Sequence, residues 1–241
     1  MKFIEKIVEK QNNNYEKRGV TVAFLGDSVT QGCFEVYRKS EKELETVFDK
    51  TCAYHKYFAD IFSVLCPSVP VNIINAGISG GTALHALDRL ERDVLCQSPD
   101  LVIVCFGLND SSAGMDKIGV YTKSLGEIFE RLQNFGTEII FMTPNMKCTD
   151  LSCHITDSLI KEVAMLNVES QINKTMDNYI EAALKVCKDK GVTVCDCYRK
   201  WKKLSDSGIN ITQLLSNKIN HPTREMNYMF AYSLVETIFE M

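Results

Sequence analysis

Short apolar runs rich in β-branched residues recur along the chain, and longer segments with helical periodicity separate them. Runs that are apolar at nearly every position are typical of parallel strands buried on both faces. The five runs lie at residues 20–26, 71–77, 101–107, 138–144 and 192–197. Apolar residues at steps of three and four predict helices between and after these strands. The helical segments are 55–66, 83–95, 121–136, 157–190 and the stretch that follows Pro222.

The alternation of strands and helices predicts an α/β fold with a five-stranded parallel sheet covered by helices on both faces. No composition shift, internal repeat or low-complexity tract marks a second domain, so residues 20–241 are expected to form a single domain. Residues 1–19 predict a short amphipathic helix and a polar linker packed outside the main sheet. The segments 33–54 and 143–156 look irregular and follow strand ends, so they are expected to be loops that shape an acyl or alcohol pocket.

Composition narrows the class of protein. The chain has 241 residues, of which 45% are hydrophobic and 24% charged, so it can bury a sizeable core. A formal net charge of −4 and a pI near 5.7 argue against nucleic-acid binding, which normally shows a basic stripe. No apolar run approaches the roughly 20 residues of a membrane-spanning helix. The first residues lack the uninterrupted apolar core of a secretory signal. We therefore expect a protein that binds neither nucleic acid nor a membrane.

The sequence contains ten cysteines, many of them in apolar surroundings. Without an export signal we expect a reducing compartment, the cytoplasm, and free thiols rather than disulfides. Cys195 and Cys197 alternate along a predicted strand, so their side chains are expected to point to opposite faces. No C-x-x-C pair occurs and the four histidines are scattered, so no metal site is expected.

Four residues that could take part in catalysis lie next to predicted strands or next to the last helix. Ser28 follows the first strand in "FLGDSVTQG", Gly80 follows the second in "NAGISGGTA", and Asn109 follows the third in "FGLND". His221 precedes the last helix in "NHPT". Each residue alone is ordinary, since serine caps helices, glycine allows a positive φ and asparagine forms turns. In a parallel sheet, however, ligands bind beyond the carboxyl ends of the strands, so we expect the four residues to converge on one edge.

A hydroxyl, an imidazole, a glycine N–H and a carboxamide together are what acyl transfer requires. Serine is a weak nucleophile until a base takes its proton, and imidazole titrates in the right range. Backbone N–H groups and an asparagine side chain can donate hydrogen bonds to the oxyanion of the tetrahedral intermediate. The combination therefore indicates a serine hydrolase.

The four motifs, in this order, resemble the blocks of the SGNH (GDSL-like) hydrolases and cover the chain from about residue 20 to its end. The resemblance implies a three-layer α/β/α, flavodoxin-like fold that needs no cofactor. It implies that Ser28 is the nucleophile and His221 the base. It also implies an oxyanion hole made of the Ser28 N–H, the Gly80 N–H and the Asn109 side-chain amide.

One position departs from the family pattern. The last block usually carries an aspartate three residues before the histidine, and Lys218 stands there, whose ammonium cannot accept a hydrogen bond from an imidazole. Asn217 is the hypothetical substitute, because its amide oxygen can orient the ring if the loop holds a one-residue insertion. This hypothesis predicts that Asn217→Asp raises kcat and that Asn217→Leu lowers it. The alternative is a backbone carbonyl that orients the ring, which predicts that neither substitution changes the rate. Asp27 is expected to fix the turn beside the nucleophile, and Asp110 and Asp206 have no positional support as the acid.

The leading hypothesis is a serine esterase that removes small acyl groups, such as the acetyl groups of a carbohydrate. Alternatives within the same family are a thioesterase and a lysophospholipase. A non-catalytic binding protein is a further alternative, because the triad lacks its usual acid. A nucleotide or phosphate binder is disfavoured, since neither glycine-containing turn matches a P-loop or a G-x-G-x-x-G motif. The sequence leaves the oligomeric state open.

Overall fold

The computed structural model describes residues 2–240 as strands alternating with helices. In chain order the strands are β1 (Val20–Gly26), β2 (Cys33–Arg38), β3 (Leu44–Phe48), β4 (Val71–Gly77), β5 (Leu101–Cys105), β6 (Glu138–Met142) and β7 (Thr193–Cys195). The α-helices are α1 (Lys2–Asn12), α2 (Ser28–Gln31), α3 (Tyr54–Leu65), α4 (Ala83–Asp93), α5 (Leu108–Ser111), α6 (Ile118–Phe135), α7 (Ser158–Ile172), α8 (Thr175–Lys190), α9 (Cys197–Asp206) and α10 (Asn227–Phe239).

The main sheet is parallel, with the spatial order β4-β1-β5-β6-β7. The chain moves outward from β1 to β4 and then crosses β1 to reach β5, so the strand order reverses next to β1. In an open α/β sheet such a reversal opens a crevice at the carboxyl ends of the strands. The predicted fold class and the five-stranded parallel sheet are confirmed.

Successive residues of β1 belong to two separate hydrophobic cores. Phe24 packs on one face, with its ring centroid 5.6 Å from that of Tyr54 and 5.4 Å from that of Phe58, both on α3. Leu25 lies on the other face, in a cluster with Leu90 of α4 and residues of α6. Burial of both faces explains the continuous apolar run, since each fully buried large side chain contributes roughly 1.5–3 kcal/mol. The helices thus form the two outer layers of an α/β/α sandwich.

The prediction that segment 33–54 is an irregular loop was wrong. The segment contains an antiparallel hairpin of β2 and β3. The two strands pair only with each other, from Cys33 opposite Phe48 to Arg38 opposite Leu44. Because the hairpin is half exposed and charged, it lacks the apolar runs that identify the strands of the main sheet. The structure describes no helix or strand between residues 143 and 156.

The long helical stretch 157–190 is in fact two helices, α7 and α8. Lys174 between them has a left-handed φ of +65°. The Asn173 side chain accepts hydrogen bonds from the N–H and the hydroxyl of Thr175, which begins the second helix. Neither glycine nor proline marks the break, so periodicity alone did not reveal it.

The prediction for Cys195 and Cys197 was wrong, because their sulfur atoms lie 3.7 Å apart. The predicted strand continued to residue 197, whereas β7 ends at Cys195 and α9 begins at Cys197. The change from strand to helix turns both thiols toward the same core. All ten cysteines are free thiols.

Helix α1 packs near the amino ends of β5 and β6, away from the carboxyl edge of the sheet. Its first N–H groups donate to the Glu138 carboxylate, and Lys6 Nζ lies 2.6 Å from Asp100 Oδ1. Phe3 is buried with its ring centroid 6.0 Å from that of Phe62. The assignment of residues 20–241 to one domain stays a prediction.

Candidate active site

Ser28 lies where β1 turns directly into the short helix α2. Gly26 ends the strand in close contact with the next turn, and a Cβ there would lie 2.0 Å from the Thr30 hydroxyl. The Asp27 carboxylate accepts a hydrogen bond from the Val29 N–H at 3.0 Å and so caps α2. Ser28 is thereby the first residue of the helix, and its own N–H has no acceptor within the helix.

His221 comes from the other end of the chain and contacts Ser28. Its Nε2 lies 2.9 Å from Ser28 Oγ, and its Nδ1 lies 2.8 Å from the carbonyl oxygen of Phe34. Both side chains are buried, since His221 is 5% and Ser28 4% exposed. Because a carbonyl only accepts hydrogen bonds, Nδ1 carries the proton and Nε2 is left to accept the proton of the serine hydroxyl. This is the tautomer that a general base needs.

Burial lowers the pKa of His221 from its ordinary value of 6.5 to about 4, because the charged imidazolium is poorly solvated there. The hydrogen bond to the Phe34 carbonyl and the negative charge of Glu35 act in the opposite direction. Within residues 2–240 no carboxylate hydrogen-bonds the ring. The imidazole is therefore neutral at pH 7.

Gly80 and Asn109 follow β4 and β5, the two neighbours of β1. Gly80 has a left-handed φ of +74°, and it is exposed, with no atom within 4 Å of where a Cβ would stand. Asn109 Nδ2 donates to the Gly81 carbonyl at 2.9 Å, which joins the two loops and leaves a second amide hydrogen free to donate. The N–H groups of Ser28 and Gly80 donate to no acceptor among residues 2–240. Three hydrogen-bond donors are thus available at this edge.

The sequence model of the GDSL-like lipase/acylhydrolase family matches residues 24–227, a range that contains Ser28, Gly80, Asn109 and His221. The chain belongs to this family. An acetylxylan esterase of Geobacillus stearothermophilus is 30% identical to it over 92 residues. That match spans 38% of this chain and 40% of the relative.

Solved structures with the same fold cover nearly the whole GDSL-like chain. The crystal structure of Axe2, an acetylxylan esterase from Geobacillus stearothermophilus, superposes with a TM-score of 0.67 at 20% identity, covering 92% of this chain and 94% of the other. LAE5, an α/β hydrolase enzyme from the metagenome of Lake Arreo in Spain, gives 0.67 at 20% identity, with coverages of 91% and 95%. These likenesses confirm the three-layer α/β/α architecture.

The residues that replace the family aspartate are arranged differently from the prediction. Asn217 makes no hydrogen bond to the His221 ring, and its Oδ1 accepts hydrogen bonds from the backbone N–H groups of Ile219, Asn220 and His221 at 3.0, 2.9 and 3.0 Å. Lys218 adopts a left-handed φ of +58°, and its Nζ donates to a backbone carbonyl of residue 213. The asparagine therefore shapes the loop, as Asx turns do.

The group that orients the imidazole is a backbone carbonyl, the alternative to Asn217, and it belongs to Phe34, a residue that the sequence interpretation did not identify. Every residue has a backbone carbonyl, so no residue type signals this role. The only hint in the sequence is negative, namely the lysine at the position where the GDSL-like family carries its acid.

Arg89 of α4 is a second residue that the sequence interpretation missed. Its guanidinium donates to the Ala76 carbonyl at 2.6 Å and to the Gly26 carbonyl at 2.9 Å, which ties the ends of β4 and β1 together. On this helix Leu84 is exposed, whereas Arg89 is buried. The small residues Ala83 and Ala86 on the same face leave space for the long side chain, and they were the available signal.

Two buried aspartates near the GDSL-like motifs hold loops rather than the imidazole. Burial raises the pKa of Asp27 to about 7 and that of Asp110 to about 6. Asp110 Oδ1 accepts a hydrogen bond from the Ala83 N–H at 2.9 Å, at the start of α4. The geometry agrees with the expected turn-fixing role of Asp27. Asp110 accepts no hydrogen bond from the His221 ring, whose Nδ1 and Nε2 pair with Phe34 and Ser28.

Proposed function

We propose that this GDSL-like protein is a serine esterase that hydrolyses small acyl esters, with O-acetylated carbohydrates as its substrates. The observation that carries the proposal is the 2.9 Å contact between Ser28 Oγ and His221 Nε2 in a ring whose Nδ1–H is held by a carbonyl. The mechanism uses no cofactor.

In the acylation step, Ser28 Oγ attacks the ester carbonyl carbon while its proton moves to His221 Nε2. The carbonyl oxygen becomes an oxyanion, which the Ser28 N–H, the Gly80 N–H and the Asn109 amide stabilise. When the intermediate collapses, the bond between the carbonyl carbon and the alcohol oxygen breaks. The imidazolium then gives its proton to the departing alcohol, which leaves an acylated serine.

In the deacylation step, a water molecule loses its proton to Nε2 and attacks the acyl carbon, and Ser28 leaves with that proton. The Phe34 carbonyl keeps Nδ1 protonated throughout. A carbonyl carries no net charge, so it stabilises the imidazolium less than a triad carboxylate does. We therefore expect modest turnover rather than an absence of catalysis.

Relatives support the substrate class. The curated relative and the Axe2 structures are named as acetylxylan or acetyl-xylooligosaccharide esterases. The chain matches only 40% of that curated relative's length, so its own substrate has to be established by assay.

The test is hydrolysis of p-nitrophenyl esters from acetate to dodecanoate, and of acetylated xylo-oligosaccharides, by the wild type and by Ser28→Ala. We expect the acetyl substrates to react fastest and Ser28→Ala to lose at least about 10³-fold in kcat. Ser63→Ala is the control, because this hydroxyl lies on α3 and bonds only the Asp60 carbonyl. Preference for long acyl chains would favour a lysophospholipase, and preference for acyl thioesters a thioesterase. Unchanged activity of Ser28→Ala would contradict the proposal.

A cytoplasmic location is part of the proposal. Its support is the set of ten free thiols, seven of them buried, which is typical of a reducing compartment. Among residues 2–240, no helix has both the length and the apolarity needed to cross a bilayer. Fractionation of cells that produce the full-length protein would test the location.

A further inference from the structure

The carbonyl that orients His221 belongs to a segment that the main sheet does not hold. Phe34 lies near the start of β2, and β2 pairs only with β3. A general base works only when its ring keeps a narrow range of orientations. Something outside the sheet must therefore hold the Phe34 carbonyl against Nδ1.

Arg224 contacts the hairpin at three neighbouring points. Its Nη1 and Nη2 lie 2.6 and 3.1 Å from the two carboxylate oxygens of Glu35, and its Nε lies 3.0 Å from Asp49 Oδ2. Its guanidinium carbon lies 4.3 Å from the centre of the Phe34 ring. The Arg224 side chain thus contacts Phe34, which supplies the carbonyl, Glu35, which follows it, and Asp49, which follows β3.

The position of Arg224 in the chain gives these contacts their meaning. It follows His221 by three residues, so it joins the segment that carries the imidazole to the segment that carries the carbonyl. The guanidinium is planar and binds Glu35 with two parallel hydrogen bonds, which fixes direction as well as distance. The ion pairs are partly exposed, so we expect them to act on geometry more than on stability.

We infer that Arg224 is a positioning residue, which replaces the missing triad acid indirectly by holding the Phe34 carbonyl against His221 Nδ1. The inference rests on the proposed function, because it assigns a role within the same Ser28–His221 pair. Glu35 and Asp49 are the anchors through which Arg224 acts. Neither carboxylate touches the ring.

Arg92 of α4 provides a matched control for Arg224. It also binds a carboxylate with two hydrogen bonds, from its Nε to Asp93 Oδ1 at 2.6 Å and from its Nη2 to Asp93 Oδ2 at 3.0 Å. Neither residue of this ion pair belongs to the hairpin or to the segment that carries His221. Arg92→Ala therefore removes an equivalent ion pair without releasing Phe34.

We expect Arg224→Ala to lower kcat for p-nitrophenyl acetate by about 10–100-fold, the effect of a catalytic group displaced by roughly 1 Å, with KM changed less than about threefold. Arg224→Lys keeps the charge but not the paired hydrogen bonds, so we expect an intermediate loss. Arg92→Ala should stay within about twofold of the wild type. Equal losses in Arg224→Ala and Arg92→Ala, or a loss confined to KM, would overturn the inference.

Chemical rescue separates positioning from misfolding. Guanidinium ion added at millimolar concentration can occupy the space that Arg224→Ala leaves between Glu35 and Asp49. We expect it to restore kcat several-fold in Arg224→Ala and to leave the wild type and Arg92→Ala unchanged. Thermal unfolding shows whether Arg224→Ala is folded. If the variant is folded and slow but guanidinium does not restore its kcat, the positioning role is contradicted.

Ser28→Ala in the same assay distinguishes the two levels of the hypothesis. If Ser28→Ala keeps its activity, the proposed function fails whatever Arg224 does. If Ser28→Ala is inactive while Arg224→Ala matches the wild type in kcat, the esterase proposal stands and the inference about Arg224 alone fails.

Discussion

The two halves of the candidate site are built in different ways. The nucleophile half lies on the ends of β1, β4 and β5, where strand register and buried contacts determine each position. The Gly77 backbone packs against α2 so closely that a Cβ there would lie 2.3 Å from the Gln31 N atom. Arg89 donates hydrogen bonds to the carbonyl of Gly26, the last residue of β1, and to that of Ala76, the penultimate residue of β4. This half is part of the rigid core.

The imidazole half is built from a loop and a hairpin outside the sheet. Asn217 accepts hydrogen bonds from three backbone N–H groups of the loop that carries His221. The hairpin supplies the Phe34 carbonyl, and Arg224 joins the two. Polar contacts between surface segments replace strand register here. Substitutions in the first half should therefore affect transition-state stabilisation, and those in the second should affect ring orientation and local stability.

Removal of the imidazole should have the largest effect. We expect His221→Ala to lower kcat by about 10³–10⁴-fold, because Ser28 then has no base within reach. The exposed His85 of α4 offers the control His85→Ala, for which we expect normal turnover. Kinetics with p-nitrophenyl acetate measure both, and a small loss in His221→Ala would mean that another base serves Ser28.

Loss of a hydrogen-bond donor to the oxyanion should have the second-largest effect on kcat. We expect Asn109→Ala to lower kcat by about 10²–10³-fold with little change in KM, because one donor to the oxyanion is lost. Asn134→Ala, on the exposed end of α6, is the control. If Asn109→Ala turned over normally, its bond to the Gly81 carbonyl would be its only role.

Asn217 separates loop shape from ring orientation. Asn217→Ala leaves three backbone N–H groups without their acceptor, so we expect unfolding to become easier by about 1–3 kcal/mol. Asn217→Asp keeps that acceptor and should fold, but it should not raise kcat, since the side chain does not touch the ring. Urea unfolding and kcat measure the two effects. A higher kcat in Asn217→Asp would restore the earlier hypothesis.

The pH profile reports on the buried imidazole. Burial lowers its pKa to about 4, so the base stays neutral and kcat/KM should fall only as pH drops through about 4 rather than 6.5. The unfolded state, with the ordinary pKa of 6.5, binds a proton first, so this group also makes the fold less stable between those two values as pH falls. The variant Asp27→Asn lacks the carboxyl group next to Ser28, whose pKa is about 7, so the titration of that carboxyl cannot be mistaken for that of the imidazole. An acid limb near 6.5 in both proteins would show a solvated imidazole.

The smallest effect is expected at the tip of the hairpin. Replacing the five residues 39–43 by Asn-Gly introduces a two-residue turn suited to a hairpin between Arg38 and Leu44, which are paired. We expect stability to change by less than about 0.5 kcal/mol and the ratio of kcat/KM between acetate and butyrate esters to shift by about fivefold. Unchanged selectivity across the ester series would show that residues 39–43 do not shape the pocket. That segments 33–54 and 143–156 shape an acyl or alcohol pocket stays a prediction.

Much of the sheet and the nucleophile half could be predicted from the chain alone. The apolar run 20–26 matches β1 residue for residue, because a strand buried on both faces needs apolar side chains at every position. The run 71–77 likewise matches β4, an edge strand that is only partly buried and carries two asparagines. Ser28, Gly80 and Asn109 follow strands directly, so parallel order alone places them at one edge. The hairpin escaped prediction because half-exposed strands carry mixed side chains.

The sequence by itself determined the fold, the family and the pairing of Ser28 with His221, because these depend on residue type and on position relative to a strand. Only the tertiary structure decided what orients the imidazole. Phe34 acts through a backbone atom that every residue possesses, and it lies 187 residues from His221 in the chain. Such a contact depends on where two surface segments meet, and no local pattern of side chains encodes that meeting point.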